Sequence, residues 1–164
     1  MANTNAPNGF TPIRHLTGGV IRPQEYAIAN GLAANLASGD LVTMTTDGTI
    51  IRGTAGGTAL GVFYGVEYQD NTSGDVKFVK VWNSGTTVKA NTAVKAYVYD
   101  DPNITFQVQC NGTFATANVG ELATTAKVLR ILRLVDMPNN DAGADAKVEV
   151  VISNHLYGTR QAGV

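Results

Sequence analysis

The stretch "AVKAYVYDDPNITFQVQ", Ala93 to Gln109, decides the fold class. In its second half Ile104, Phe106 and Val108, continued by Cys110, alternate with Thr105, Gln107 and Gln109. A period of two puts the first set on one face of a strand and the second on the other, one face core and the other wet. "DDPN" at Asp100 to Asn103 supplies the turn before it, since proline fixes φ and Asp and Asn bond to their own backbone. The first half then reads as a second strand returning to the same turn.

The same grammar extends in both directions. Upstream, "LVTMTTDGTIIR" from Leu41 to Arg52 is a hairpin around a turn that tolerates positive φ at Gly48. "LGVFYGVEY" from Leu60 to Tyr68 is a strand in which Gly61 and Gly65 mark a bulge or a close backbone approach. "VKFVKVW" from Val76 to Trp82 is apolar on both faces by strict alternation. Downstream, strands are expected near Val128 to Asp136 and Lys147 to Ser153, and helical turns at most in the Ala-rich piece after Ile28 and near residues 120–123. Strand after strand with turn signals every ~8–12 residues predicts an all-β fold, a single compact β-sandwich or small β-barrel domain.

The N-terminal 27 residues read differently. Pro7, Pro12 and Pro23 with Gly9, Gly18 and Gly19 interrupt every helix or strand, so residues 1–27 are expected to form an extended N-terminal arm and residues 28–164 the β-rich domain. Phe10, Ile13, Leu16, Val20, Ile21 and Tyr26 recur along this arm. A free tail has no use for that apolar area, so these six are the expected partner-binding residues, lying against their own domain or a neighbouring subunit.

Composition narrows the function. Hydrophobic residues make up 44% and charged residues 15% of the 164, which excludes a disordered chain. Twelve basic against thirteen acidic residues give a net charge of −1, which lacks the basic field that nucleic-acid binding needs. The lone Cys110 forms no internal disulfide and implies synthesis in a reducing compartment. "ANTNAPNGFTP" after Met1 has no signal-peptide pattern, and no segment approaches the ~20 apolar residues of a membrane span.

Reactive constellations are sparse. Asp136, Asn139, Asn140, Asp141 and Asp145 crowd one loop and offer oxygens to a hard cation, but their spacing fits no EF-hand, and the same residue types shape long turns. "DDPN" and "QDN" invite the same reading and receive the same answer. His15 and His155 have no neighbours that suggest a relay, and Cys110 falls on an apolar strand face as an inert thiol. "GTAGGTALG" from Gly53 lacks the Lys-Ser/Thr ending and following helix of a phosphate cradle. Trp82, Tyr64, Tyr68, Tyr97 and Tyr99 suit either a carbohydrate or peptide groove or an interface. No catalytic, metal-binding or cofactor-binding residue is assigned.

Two segments carry a resemblance. "LRLVDMPNNDAGADAKVEVVISNHLYG", with "VDMPNN" leading into "AKVEV" and "SNHLYG", resembles the C-terminal hairpin of small structural proteins of tailed-bacteriophage heads, with Ser153 in place of the usual second polar residue. The Pro-rich arm running into "ASGDLVTMTTDGTI" is similar to the start of head decoration proteins. The middle, from about Gly53 to Ala126, matches in character alone. The resemblance implies a capsid decoration, or cement, protein: a non-enzymatic virion protein made in the bacterial host cytoplasm. It would bind the outer capsid surface and clamp neighbouring major capsid protein subunits as a homotrimer or homodimer, with no cofactor, nucleic acid or membrane. The alternatives are a tail, neck or head-fibre component, or a carbohydrate-binding β-sandwich module.

Overall fold

A computed structural model describes residues 3–29, 32–54, 56–120 and 128–158. The chain is all-β, with twelve strands among the described residues: β1 (Thr11–His15), β2 (Gln24–Ile28), β3 (Leu36–Ala37), β4 (Leu41–Met44), β5 (Thr49–Arg52), β6 (Gly61–Gln69), β7 (Val76–Val79), β8 (Val81–Trp82), β9 (Lys95–Tyr99), β10 (Ile104–Gln109), β11 (Leu129–Leu134) and β12 (Lys147–Ile152). Six strands run in the order β4-β5-β2-β9-β6-β7, and a further pairing of β4 with β6 closes five of them into a barrel, leaving β7 as an appended edge. Four others form an open sheet, β1-β10-β12-β11, and β3 pairs with β8 in a short ribbon.

Two cores follow from this arrangement. The barrel interior is filled by Ile28, Leu36, Val42, Ile50, Leu60, Phe63, Val66, Trp82, Ala96 and Val98. The second core lies between the open sheet and the barrel wall, where Ile104, Phe106, Ile131, Val148, Val150 and Ile152 pack with Ala59, Val62, Leu41 and Tyr99. Ile104, Phe106, Val108 and Cys110 thus share one face, as alternation predicts.

Both glycine expectations for β6 hold. The β6–β9 register slips between Phe63 and Gly65, and a Cβ on Gly65 would overlap the Phe78 ring. A Cβ on Gly61 would overlap the carbonyl oxygen of Tyr99, at the point where β4 and β6 meet to close the barrel. "VKFVKVW" is apolar on both faces for a different reason. The strand breaks at Lys80, so Val79 and Trp82 both enter the barrel core while Phe78 and Val81 stay exposed.

The N-terminal segment is extended but paired. β1 lies antiparallel to β10 at the edge of the open sheet, the position a strand containing Pro12 tolerates, because proline donates no ladder hydrogen bond. β2 is a barrel stave, antiparallel to β9 and parallel to β5. The expected boundary at residue 27/28 therefore falls inside β2. The Ala-rich piece after Ile28 is not helical in its described residues, and the helical turn expected near 120–123 lies, except for Gly120, outside the described residues; a 3₁₀ turn occurs at Thr116–Asn118.

Gly61→Ala is expected to lower stability by about 1–3 kcal/mol by overpacking the barrel seam. Gly112→Ala, where a Cβ meets nothing within 4 Å, should stay within about 0.5 kcal/mol of wild type. Urea midpoints of the two variants measure the difference, and equal losses would mean that the seam does not depend on the missing side chain.

Candidate functional site

The polar loop between β11 and β12 is built to turn. Asn140 is buried, its amide donating to the carbonyls of Val135 (2.7 Å) and Lys147 (2.8 Å) and accepting from the Lys147 N–H at 2.8 Å. Asn139 and Asp145 take positive φ, which short polar side chains tolerate better than bulky ones. The loop also holds something, the chain's own N-terminal segment. The Asn3 side chain donates to Asp141 O (2.8 Å) and Ala144 O (2.7 Å) and accepts from Asp141 N (2.8 Å). Gln109 bridges Asn5 and Asp145. Among the described residues no three His, Cys, Asp or Glu side chains are placed to share a metal ion.

The other acidic turns are equally occupied. Asp70 accepts from the N–H groups of Thr72 and Ser73 and pairs with Lys77 at 2.6 Å, which holds its carboxyl down at about 2. In the β9–β10 turn, Asp100 accepts from the Tyr26 hydroxyl at 2.5 Å, and burial with this bond pushes the phenol well up. Asp101 caps Asn103 N and pairs with His15 Nε2 at 2.9 Å; burial would raise its carboxyl, but these bonds lower it overall. His15 Nδ1 in turn accepts from the N–H groups of Thr17 and Gly19. His15 is therefore the pin of a loop. His155 is buried beside Ala59, to which it forms a parallel bridge.

The six apolar residues of the arm divide into two sets. Phe10 sets its ring edge-on to Phe106 and, with Ile21, packs on the core beneath the open sheet, while Tyr26 packs on the barrel core. Ile13, Leu16 and Val20 remain 39%, 38% and 71% exposed. The aromatic set divides too. Trp82 is buried inside the barrel against Tyr68, so it is not available to a sugar, whereas Tyr64, Phe78, Tyr97 and Tyr99 form a chain of ring contacts on the outer barrel wall. Half-buried Cys110 has its thiol pushed up by burial and lines a cavity of about 530 Å³ with Phe10, Phe114, Leu129 and Ile131. No charged side chain among the described residues lines that cavity to fix a ligand.

The most organised charged group lies on the outer face of the open sheet, expected above to be wet. Thr105, Glu149 and Val151 are instead buried there. Glu149, 1% exposed, takes Arg14 Nε on Oε1 at 2.6 Å and Arg133 Nε on Oε2 at 2.5 Å. Two β-bulges make this arrangement. The register of β1 against β10 slips between Pro12 and Arg14, and that of β11 against β12 between Ile131 and Arg133. Each slip turns an arginine onto the face where Gln107 and Glu149 pair. Sequence reasoning missed this group because Arg130 and Arg133, three residues apart, fall on opposite faces of a regular strand. The available signal was Glu149 itself, a lone acid in the otherwise apolar run "VEVVI".

Burial alone would raise the Glu149 carboxyl, but hydrogen bonds from Arg133, Thr105 and Arg14 outweigh it and hold it below the ordinary carboxylate range. A carboxyl depressed in the folded state stabilises the fold fully above its unfolded value, about 4.3. That contribution is lost as pH falls through the lower folded value. Glu149→Gln is therefore expected to cost about 1–3 kcal/mol near neutral pH, with the gap to wild type narrowing as pH drops below about 4. Chemical denaturation across that range measures it; a gap independent of pH would mean that the charge contributes nothing.

Comparison with protein-family models, with curated proteins and with solved structures finds no match to this chain, so its functional reading rests on its own residues.

Proposed function

We propose that this chain is a virion structural protein that binds the outside of a tailed-phage head and clamps neighbouring major capsid protein subunits, acting through surface contact with no reaction of its own. The observation that carries the reading is the exposed apolar set Ile13, Leu16 and Val20 on a pinned segment. Ile13 is the extra residue of the β1 bulge, at a sheet edge with which no other described strand pairs. Leu16 is fixed by its N–H to Asn103 O at 2.9 Å, and the following loop by the His15 ring and Asp101. Apolar side chains on a preformed loop lose little entropy on docking, which favours a standing role in binding. The C-terminal hairpin "VDMPNN…AKVEV…SNHLYG" and the "ASGDLVTMTTDGTI" start add the resemblance to head decoration proteins. Self-association as a trimer or dimer belongs to the same proposal.

Purified protein mixed with empty heads that lack it should co-sediment with them and appear as added density on their outer surface by cryo-electron microscopy. The triple variant Ile13→Asn, Leu16→Asn, Val20→Asn should keep its melting temperature and bind heads at least about tenfold more weakly, the scale expected for losing a small group of buried anchors. Absence of added density with the wild-type protein would overturn the decoration role, and undiminished binding by the variant would overturn the part given to these three residues.

A further inference from the structure

We propose that the outer face of the open sheet is a docking site for an acidic segment of a partner protein, its carboxylates gripped by Arg14 and Arg133 with Arg130 beside them. In the decoration reading, on which only the partner's identity rests, that segment belongs to a capsid subunit.

The face is charged well beyond what the fold requires. Register places Arg14, Thr105, Val151 and Arg130 in one row across the four strands, Thr11, Gln107, Glu149 and Arg133 in the next, and Gln109 beside Lys147 in a third. Among the described residues, Arg14, Arg130, Arg133 and Lys147 thus share the face with one carboxylate, Glu149, and Asp145 at its loop end is held by Gln109. This positive excess sits on a chain whose net charge is −1. Field strength of the whole molecule therefore does not produce it; local placement does.

Three features suit the face to a partner's carboxylates. First, both edge strands carry a bulge, and each bulge re-aims an arginine onto this face. Bulges of this kind are retained where a side chain must be redirected. Second, Glu149 occupies only the Nε of each guanidinium. Among the described residues the terminal nitrogens of Arg14 and Arg133 make no hydrogen bond, and the two side chains remain 47% and 57% exposed. Each guanidinium is a rigid planar fork held at one corner, and its outer edge fits the two oxygens of a carboxylate. Third, register places Arg130 on the same face, beside this pair and opposite Val151. A partner's carboxylates would supply acceptors for the exposed terminal nitrogens of Arg14 and Arg133.

A protein acid fits better than nucleic acid. A chain with 12 basic against 13 acidic residues gains little from counterion release along a continuous phosphate track. Discrete carboxylates on a partner meet the separate forks of Arg14 and Arg133.

The test uses the full chain and no phage heads, so its failure is distinguishable from failure of the decoration role. A fluorescein-labelled polyglutamate peptide is titrated with protein by fluorescence anisotropy, with polylysine and oligothymidylate as alternatives. Wild type should bind polyglutamate, more weakly as salt rises, and bind polylysine not at all. The triple variant Arg14→Met, Glu149→Leu, Arg133→Met removes the charges together, leaving no buried charge unpaired. It should bind at least about tenfold more weakly, the loss expected when charge-assisted bonds are removed. Arg130→Gln leaves the Arg14–Glu149–Arg133 group intact, so it serves where the triple variant does not fold, and should weaken binding several-fold. No polyglutamate binding by wild type, undiminished binding by the folded variants, or tighter binding of oligothymidylate than of polyglutamate would each overturn the proposal.

Discussion

The barrel depends on one strand borrowed from the N-terminal segment. β2 lies between β9 and β5, and its pairing with β5 is parallel, Ala27 opposite Thr49 and Ile28 opposite Ile50. A parallel neighbour cannot come from a hairpin, so this contact has to be made by residues distant along the chain. Once β2 is in place, the β4–β5 hairpin is attached to the β6–β9 pair on one side, and the β4–β6 contact closes the ring on the other. Closure removes free sheet edges, which otherwise invite pairing with other chains. It also demands close backbone approach at the seam, which is why Gly61 stands there without a side chain.

The open sheet has the opposite problem. Among the described residues no further strand pairs with its edges β1 and β11, although Ile131 O on β11 accepts from Gly120 N–H at 2.8 Å, and each edge is bent by a bulge. Bulges blunt an edge against unwanted pairing, and here they do so while bringing charge over the sheet's outer face. The buried Glu149 is costly to desolvate, and two arginines offset that cost only because the geometry is good on both oxygens. A packed apolar residue would give comparable stability with less risk.

Between the two sheets, the β9–β10 turn is the joint. Asp100 receives Tyr26 from β2, and Asp101 receives His15 from the end of β1, so one turn fixes both strands of the N-terminal segment. A third clasp ties Asn3 to the β11–β12 loop. The acidic turns thus spend their oxygens on the chain itself. The consequence is an N-terminal segment tied to the fold at three places, with Ile13, Leu16 and Val20 exposed along it.

The sequence by itself determined the strands and turns whose signals are local. Alternation in "ITFQVQ", the "TDG" and "DDPN" turns, and the glycines of β6 each follow from steric rules within a few residues, and the structure repeats them. It also singled out an apolar set in the first 27 residues. Only tertiary structure decided how that set divides, with Phe10, Ile21 and Tyr26 inside and Ile13, Leu16 and Val20 outside, because burial depends on what packs opposite. The same holds for the barrel, which rests on a parallel pairing that no local pattern encodes, and for the arginine face. Period-two reading separates Arg130 from Arg133; the register slip of β11 against β12 puts both on one face, and that of β1 against β10 brings Arg14 to the same face.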